Sequence, residues 1–188
     1  MVVRERRKLG VIARHSFLFC VMALAIAGCA ESSSVAVKGP GFIEHGTRTI
    51  AIEPPDDLFD DGHLAQSIGV ELTKRGYTID DQRQTLALLR KNNVKALEIL
   101  TPGGLATLRK NGVDAVLSIN ASAASMGGPP NRYVEIRILS TSTGQEIGSV
   151  DWKNSWAGMP GSPADYVNRE GVETAGVEIA DKLAKLLG

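Results

Sequence analysis

Apolar residues recur along this chain with two different periods, and each period predicts one kind of secondary structure. In some stretches every second residue is apolar, which is the pattern of a strand with one face turned to a core. In others the apolar residues recur three or four apart, as on the buried face of a helix. The alternating stretches are residues 48–53, 115–123 and 133–138, and the helical ones are residues 64–76, 85–92, 101–111 and 162–187.

Turn signals between these stretches add two further strands. Tyr77-Thr78-Ile79 follows Gly76 as a short strand, and residues 145–156 return after the turn Ser142-Thr143-Gly144, where Gly144 is free to take positive φ. The later strands are apolar on one side only, so one sheet face contacts helices and the other contacts water or a partner. We therefore expect one α+β domain at residues 47–188, a mixed β-sheet with helices packed mainly on one face.

The residues before this domain have a different character. Residues 1–28 begin with a basic head and continue with about a dozen apolar residues, too few for a membrane span, which needs roughly 20. This arrangement predicts a secretory signal peptide. Residues 29–46 are rich in Ser, Gly and Pro and predict a flexible tether with an average span of roughly 20–25 Å.

The end of the predicted signal resembles a bacterial lipobox, since Ile26, Ala27 and Gly28 precede Cys29. The resemblance implies that the Cys29 thiol receives a diacylglyceryl group, that the peptide is cut before it, and that the new amino group is acylated, with palmitate as the typical label. Two or more acyl chains give a firm membrane anchor. A single-pass membrane anchor and an ordinary signal cut near Ala27 remain alternatives. Ala30, where enteric lipoproteins retained at the inner membrane have Asp, favours the outer membrane.

Charge and cysteine content narrow the range of partners. Residues 1–28 carry five basic residues and one acidic residue, so removing them from a chain with 21 of each leaves 16 basic and 20 acidic residues, a net charge of −4. A mildly acidic domain argues against nucleic acid or an anionic headgroup surface as a partner. Cys20 lies in the signal and Cys29 is the predicted lipid site, so the mature chain has no pair of cysteines for a disulfide.

Several short phrases, taken in order, resemble a known superfamily. The phrases are TIAIEP near residue 49, Gly76-Tyr77-Thr78-Ile79, Asn111-Gly112-Val113-Asp114-Ala115 and Ser142-Thr143-Gly144. They resemble periplasmic lipoproteins of the group that includes the curli-secretion pore lipoprotein, the lipoprotein activators of penicillin-binding proteins and the amino-terminal domain of TolB. The resemblance covers roughly residues 47–187 and implies a protein-binding scaffold without shared catalytic residues. The sequence lacks the additional hairpins of the pore-forming relatives and the long stalk of the synthase activators.

No motif in the sequence predicts an enzyme, a cofactor or a metal ion. His45 and His63 have no metal-spaced partner, and neither H-E-x-x-H nor G-x-S-x-G occurs. The acidic run at residues 56–61 does not match an EF-hand loop, and acidic residues before a helix are favoured by its dipole alone. We therefore expect no catalytic residues, no metal site and no cofactor.

One short segment of the sequence contains four large, adaptable side chains: Trp152, Trp156, Met159 and Tyr166. The two tryptophans are four residues apart and share one strand face. Aromatic clusters of this kind often anchor partner proteins, which makes these four residues a candidate partner-binding rim. The alternative is that Trp152 packs in the core under the last helix.

These observations together predict a non-enzymatic lipoprotein of the cell envelope. Its lipid on Cys29 would hold it to the outer membrane, and its periplasmic domain would act as a protein-binding or scaffold module for another envelope protein or for another copy of itself. The alternatives are a subunit of a secretion-type oligomeric assembly and an envelope enzyme.

Overall fold

The computed structural model describes residues 33–41, 46–54, 63–124, 131–153 and 171–188. These residues belong to one compact unit, Ser32–Gly188. The strands in this part of the chain are β1 (Ser33–Lys38), β2 (Thr49–Ile52), β3 (Thr78–Asp80), β4 (Ala115–Ala124), β5 (Asn131–Ser140) and β6 (Glu146–Lys153). The α-helices are α1 (His63–Lys74), α2 (Gln82–Lys91), α3 (Pro102–Lys110) and α4 (Val172–Leu187), with a 3₁₀ turn at Ala96–Glu98.

The six strands form one mixed sheet in the order β1-β6-β5-β4-β2-β3. The pairs β2–β3 and β2–β4 are parallel, because a helix intervenes along the chain between their strands. The pairs β4–β5, β5–β6 and β1–β6 are antiparallel. The predicted α+β class with a mixed sheet is therefore confirmed.

The larger core lies between one sheet face and the helices α1 and α4. The strands contribute Ile52, Leu117 and Ile136, and α4 contributes Ile179 and Leu183, all of them at most 1% exposed. Alternation in the strands turns these residues to one side, and the 3.6-residue period of the helices turns theirs to meet them. Burial of such side chains stabilises the fold by roughly 1.5–3 kcal/mol each relative to exposure.

A second, smaller core covers part of the opposite face. Val116 of β4 packs there against Leu89 of α2, Ile99 after the 3₁₀ turn and Leu108 of α3. Helices are therefore packed mainly on one face, as predicted, but α2 and α3 shield the β2 and β4 end of the other face as well. Over β5, β6 and β1 none of the described elements packs on this second face.

Local signals set most of the helix ends. Asp81 caps α2 by accepting hydrogen bonds from the backbone N–H groups of Arg83 and Gln84, both at 2.8 Å. Thr101 caps α3 as predicted, with Pro102 at its first position. The last described helix begins at Val172 with Gly171 as its N-cap, so the predicted helix does not run unbroken from Ser162, which itself lies outside the described residues. Gly171 has the extended backbone of an N-cap residue, with φ −68° and ψ 162°, so α4 starts directly after it.

The predicted flexible tether at residues 29–46 is wrong for Ser33–Lys38. These six residues pair along their whole length with β6, from Ser33 opposite Lys153 to Lys38 opposite Gly148. The ladder continues after the strand, since the N–H of Gly39 donates to the carbonyl oxygen of Ile147 at 2.7 Å. Strand β1 therefore forms one edge of the sheet, and the chain enters the domain much earlier than residue 47.

Candidate binding surface

The uncovered part of the second sheet face is formed by side chains of β1, β5 and β6. We call this surface the open face, and its members are Val35, Val37, Tyr133, Glu135, Arg137, Ser149, Asp151 and Lys153. Strand alternation places them together, because the residues between them, such as Val134, Ile136 and Val150, are fully buried in the core on the other side.

Two valines at the edge strand are the most unusual members of the open face. Val35 is 61% exposed and Val37 is 55% exposed. Val35 lies opposite Asp151 and Val37 opposite Ser149 on β6, so neither valine has an apolar cross-strand neighbour on that side. Single exposed apolar residues are common, but two on one edge strand form a small apolar patch at the edge of the open face. Tyr133 is 42% exposed on the same face, and Asp151 and Lys153 of β6 lie between it and the valines.

Four residues of the open face form two hydrogen-bonded pairs. The Tyr133 hydroxyl donates to Asp151 Oδ1 at 2.9 Å across the β5–β6 ladder. The Arg137 Nε donates to Glu135 Oε1 at 2.8 Å along β5. Glu135 and Asp151 lie directly opposite each other, and two carboxylates in this position repel. The two hydrogen-bonding partners offset this repulsion, so the face is held in one arrangement of charges.

These pairs change the ionisation of their donors. The hydrogen bond to Asp151 raises the pKa of Tyr133, because the phenol proton is shared with a carboxylate and the phenolate would repel it. The hydrogen bond to Glu135 raises the pKa of Arg137, because the carboxylate stabilises the charged guanidinium. Both donors therefore keep their protons at neutral pH. The open face therefore presents a neutral tyrosine and a cation beside two carboxylates.

Trp152 lies in the core and not on the predicted partner-binding rim. Trp152 is 1% exposed in the larger core, and its indole Nε1 donates to Glu178 Oε2 of α4 at 2.8 Å. The core alternative is therefore correct for Trp152, and its place in a binding rim is wrong. Trp156, Met159 and Tyr166, like the lipobox residues Ile26, Ala27, Gly28 and Cys29, lie outside the described residues.

The phrases that carry the superfamily resemblance meet at one end of the sheet. Asp114, just before β4, accepts hydrogen bonds from the backbone N–H groups of Arg48 and Thr49 through Oδ2, both at 2.9 Å. The Thr141 hydroxyl, 5% exposed in the turn after β5, donates to the carbonyl oxygen of Val113 at 2.7 Å. Gly144 has φ +70° in that turn, as predicted. These residues fasten β2, β4 and the β5–β6 turn together, which is a structural role.

A cavity of about 300 Å³ lies beside this junction, lined in part by Gly41, Thr47, Arg109, Asp114 and Ser142. Arg109 Nη1 donates to the carbonyl oxygen of Ser142 at 3.3 Å, and Asp114 is already engaged by β2. The lining groups therefore hold the turn and the strands. Within the described ranges no three His, Cys, Asp or Glu side chains lie close enough together to hold a metal ion. Of the helices in those ranges, none has the length and apolar character needed to cross a membrane.

Sequence comparisons find no relatives: no protein-family model matches the chain, and no curated protein matches it significantly. Solved structures do resemble it. One is the PelC dodecamer from Paraburkholderia phytofirmans, with a TM-score of 0.49, 17% identity, and coverage of 84% of this chain and 99% of that chain. Lipoprotein GNA1162 from Neisseria meningitidis has a TM-score of 0.47 and 16% identity, covering 73% and 99%.

The C-terminal domain of LpoB from Salmonella enterica is also similar, with a TM-score of 0.43 and 15% identity over 58% of this chain and 82% of that domain. These similarities agree with the resemblance that the sequence predicts. It is a likeness of fold at low identity, and the arguments below rest on the residues of this chain.

Proposed function

We propose that this protein is a lipid-anchored accessory lipoprotein of the outer membrane, facing the periplasm, that binds another envelope protein through its open face. The observation that carries the proposal is that Val35, Val37 and Tyr133 are exposed on one sheet face, over strands where none of the described elements packs. Apolar and aromatic residues in a polar surround are the usual anchors of protein interfaces.

The polar groups of the same face favour binding over catalysis. Tyr133 and Asp151, and likewise Arg137 and Glu135, satisfy each other on an exposed sheet surface. A catalytic pair is normally held in a cleft that excludes water and orients a substrate. Paired charges on a flat face instead suit the polar rim of an interface, where they set the orientation of a partner.

The position of β1 restricts where such a partner can be. Ser33 follows Cys29 by four residues, and four residues span at most about 13–14 Å when fully extended. A lipid on Cys29 would therefore hold the open face within a short distance of the membrane surface. The partner that fits this position is a protein anchored in or emerging from the same membrane.

A photo-crosslinking amino acid at Tyr133 of the full chain in intact cells tests the binding surface. We expect a discrete adduct at Tyr133 and none with the same probe at Leu97, which is 76% exposed on the 3₁₀ turn away from the open face. Adding Arg137→Glu should reduce the adduct, because it places three acidic residues together on the face. Equal adducts at Tyr133 and Leu97 would contradict a specific surface.

The lipid anchor needs its own test. Cys29→Ala should abolish labelling with radioactive palmitate and release the protein into the soluble periplasmic fraction. Labelling that persists in the Cys29→Ala chain would exclude Cys29 as the lipid site and leave the open-face test unaffected.

A further inference from the structure

Basic residues are concentrated in one segment of the chain, residues 82–113, which contains α2, the 3₁₀ turn and α3. The segment has six basic residues and one acidic residue, Glu98, for a net charge of +5. The other residues of 29–188 include ten basic and nineteen acidic residues, for a net charge of −9. The net charge of −4 is therefore an average over two regions of opposite sign, and it does not exclude an anionic partner for this segment. The basic residues are Arg83, Arg90, Lys91, Lys95, Arg109 and Lys110.

The fold brings these six side chains to one side of the protein. The helices α2 and α3 and the 3₁₀ turn form one layer over β2 and β4, because Leu89, Ile99 and Leu108 are all buried in the smaller core. The other sides of these elements therefore point away from the sheet. All six basic residues are exposed there, and we call this exposed side of the layer the basic surface.

Carboxylates do not neutralise the basic surface within the described part of the protein. None of its six cations forms an ion pair with another described residue. Arg109 Nη1 donates to the carbonyl oxygen of Ser142, which is a neutral acceptor. Glu98 accepts from the backbone N–H of Lys95 through Oε2 at 3.2 Å. The surface therefore presents a positive potential that an anionic partner would neutralise.

Two leucines add apolar area to the basic surface. Leu97 in the 3₁₀ turn is 76% exposed, the highest value among the exposed large hydrophobic residues of the described structure, and Leu100 is 36% exposed. Ile99, between them, is 1% exposed in the smaller core and holds the turn in place. Lys95 precedes Leu97 by two residues, so an aliphatic side chain and a cation project from the same short turn.

We propose that the basic surface docks on a bilayer that contains anionic phospholipid, with Leu97 inserted among the headgroups and the basic side chains paired with lipid phosphates. Attraction of Lys and Arg to anionic lipid and burial of apolar side chains at the acyl boundary are the two contributions that hold peripheral segments on membranes. This docking requires neither the lipid on Cys29 nor the binding of a protein by the open face.

The side chains of residues 82–113 favour a lipid surface over other anionic partners. The segment contains no Phe, Tyr or Trp. Single-stranded nucleic acids are bound largely by stacking of bases on aromatic side chains, and protein interfaces are enriched in aromatic residues and depleted in Lys. A bilayer needs no aromatic residue, because its phosphates pair with the cations and its hydrocarbon accepts Leu97.

A fluorescent probe at Leu97 tests the docking. The chain with Leu97→Cys, expressed at full length, purified from membranes and reconstituted in vesicles, is labelled with an environment-sensitive dye. We expect the emission to shift to the blue in vesicles of equal parts phosphatidylglycerol and phosphatidylcholine, and not in vesicles of phosphatidylcholine alone. The controls are the chain without the new cysteine and Val70→Cys, a valine 49% exposed on α1, which packs on the other sheet face.

Removing lysines in pairs locates the attraction. Lys91→Gln with Lys95→Gln should lower the ratio of docked to undocked probe about 25-fold, because each cation near an anionic surface contributes roughly fivefold. Lys182→Gln with Lys185→Gln changes the net charge equally on α4 and should leave the ratio unchanged. Melting temperatures establish that both variants are folded.

Three results with vesicles would overturn the proposal: no blue shift with anionic lipid, an equal shift at Val70→Cys, or equal losses from the two lysine pairs. A blue shift of the Leu97→Cys probe caused by DNA or by polyglutamate without vesicles would also overturn it, because the surface would then belong to a different class of anion.

Discussion

The close contact between α1 and α4 allows us to predict how much stability the substitution Gly176→Ala removes. A Cβ atom added at Gly176 of α4 would lie 2.1 Å from Ser67 Oγ, 2.7 Å from Ser67 Cβ and 3.2 Å from the Ser67 backbone carbonyl carbon. Rotation of the serine hydroxyl relieves only the first of these contacts. Gly176→Ala therefore forces the two helices apart at the point where they close the larger core.

The size of the effect follows from two opposing terms. Overpacking of a close helix contact costs about 1–3 kcal/mol, and the steric overlap with Ser67 Cβ places this case at the upper end. Replacing glycine by alanine inside a helix returns about 1 kcal/mol. The net loss is about 2 kcal/mol in the free energy of unfolding, or about 4–8 °C in melting temperature for a chain of this length.

Thermal unfolding followed by circular dichroism measures this loss. Gly103→Ala is the matched control, because Gly103 lies in α3 with no atom within 4 Å of an added Cβ, so this change should be neutral or stabilising by up to about 1 kcal/mol. The double variant with Ser67→Gly should recover part of the loss at Gly176. If Gly176→Ala melts like Gly103→Ala, the close approach of the helices is refuted.

Three further substitutions test other parts of the fold. Trp152→Phe removes the indole donor to Glu178 and part of the core volume, so unfolding free energy should fall by about 1–3 kcal/mol in denaturant titration. Asp114→Ala should destabilise clearly more than Asp114→Asn, since the amide oxygen still accepts from the N–H of Thr49; equal losses would contradict this role. Burial, and after it the charge of Asp81, raise the pKa of the Asp80 carboxyl in the folded chain above its ordinary value. The free energy of unfolding therefore falls as the pH rises from about 4, the ordinary pKa of an Asp, through this raised pKa. Asp80→Asn should therefore raise the melting temperature at pH 7, with the gain absent below about pH 4.

Periodicity predicted the parts of the fold whose burial follows from neighbouring residues. The strand at Thr49–Ile52 and the hairpin β5–β6 alternate clearly, and α1 and α3 have regular apolar spacing with local caps. Strand β1 was missed because its alternation spans only six residues, and the side that alternates as apolar, Val35 and Val37, is the exposed one. Ser33–Lys38 form a strand because they pair with β6, more than a hundred residues later in the chain. A local sequence pattern contains no information about such a distant partner.

The sequence predicted that one sheet face is left for water or a partner, but it placed the candidate site residues elsewhere. Trp152 was predicted as a binding residue because it is a large aromatic. Strand alternation instead places it on the core side together with Val150, where α4 covers it. The residues on the opposite side of the same hairpin, Tyr133 and Asp151, have no motif and meet only when β5 and β6 pair. Sequence spacing identifies which residues share a face, but it does not tell which of two faces a helix will cover.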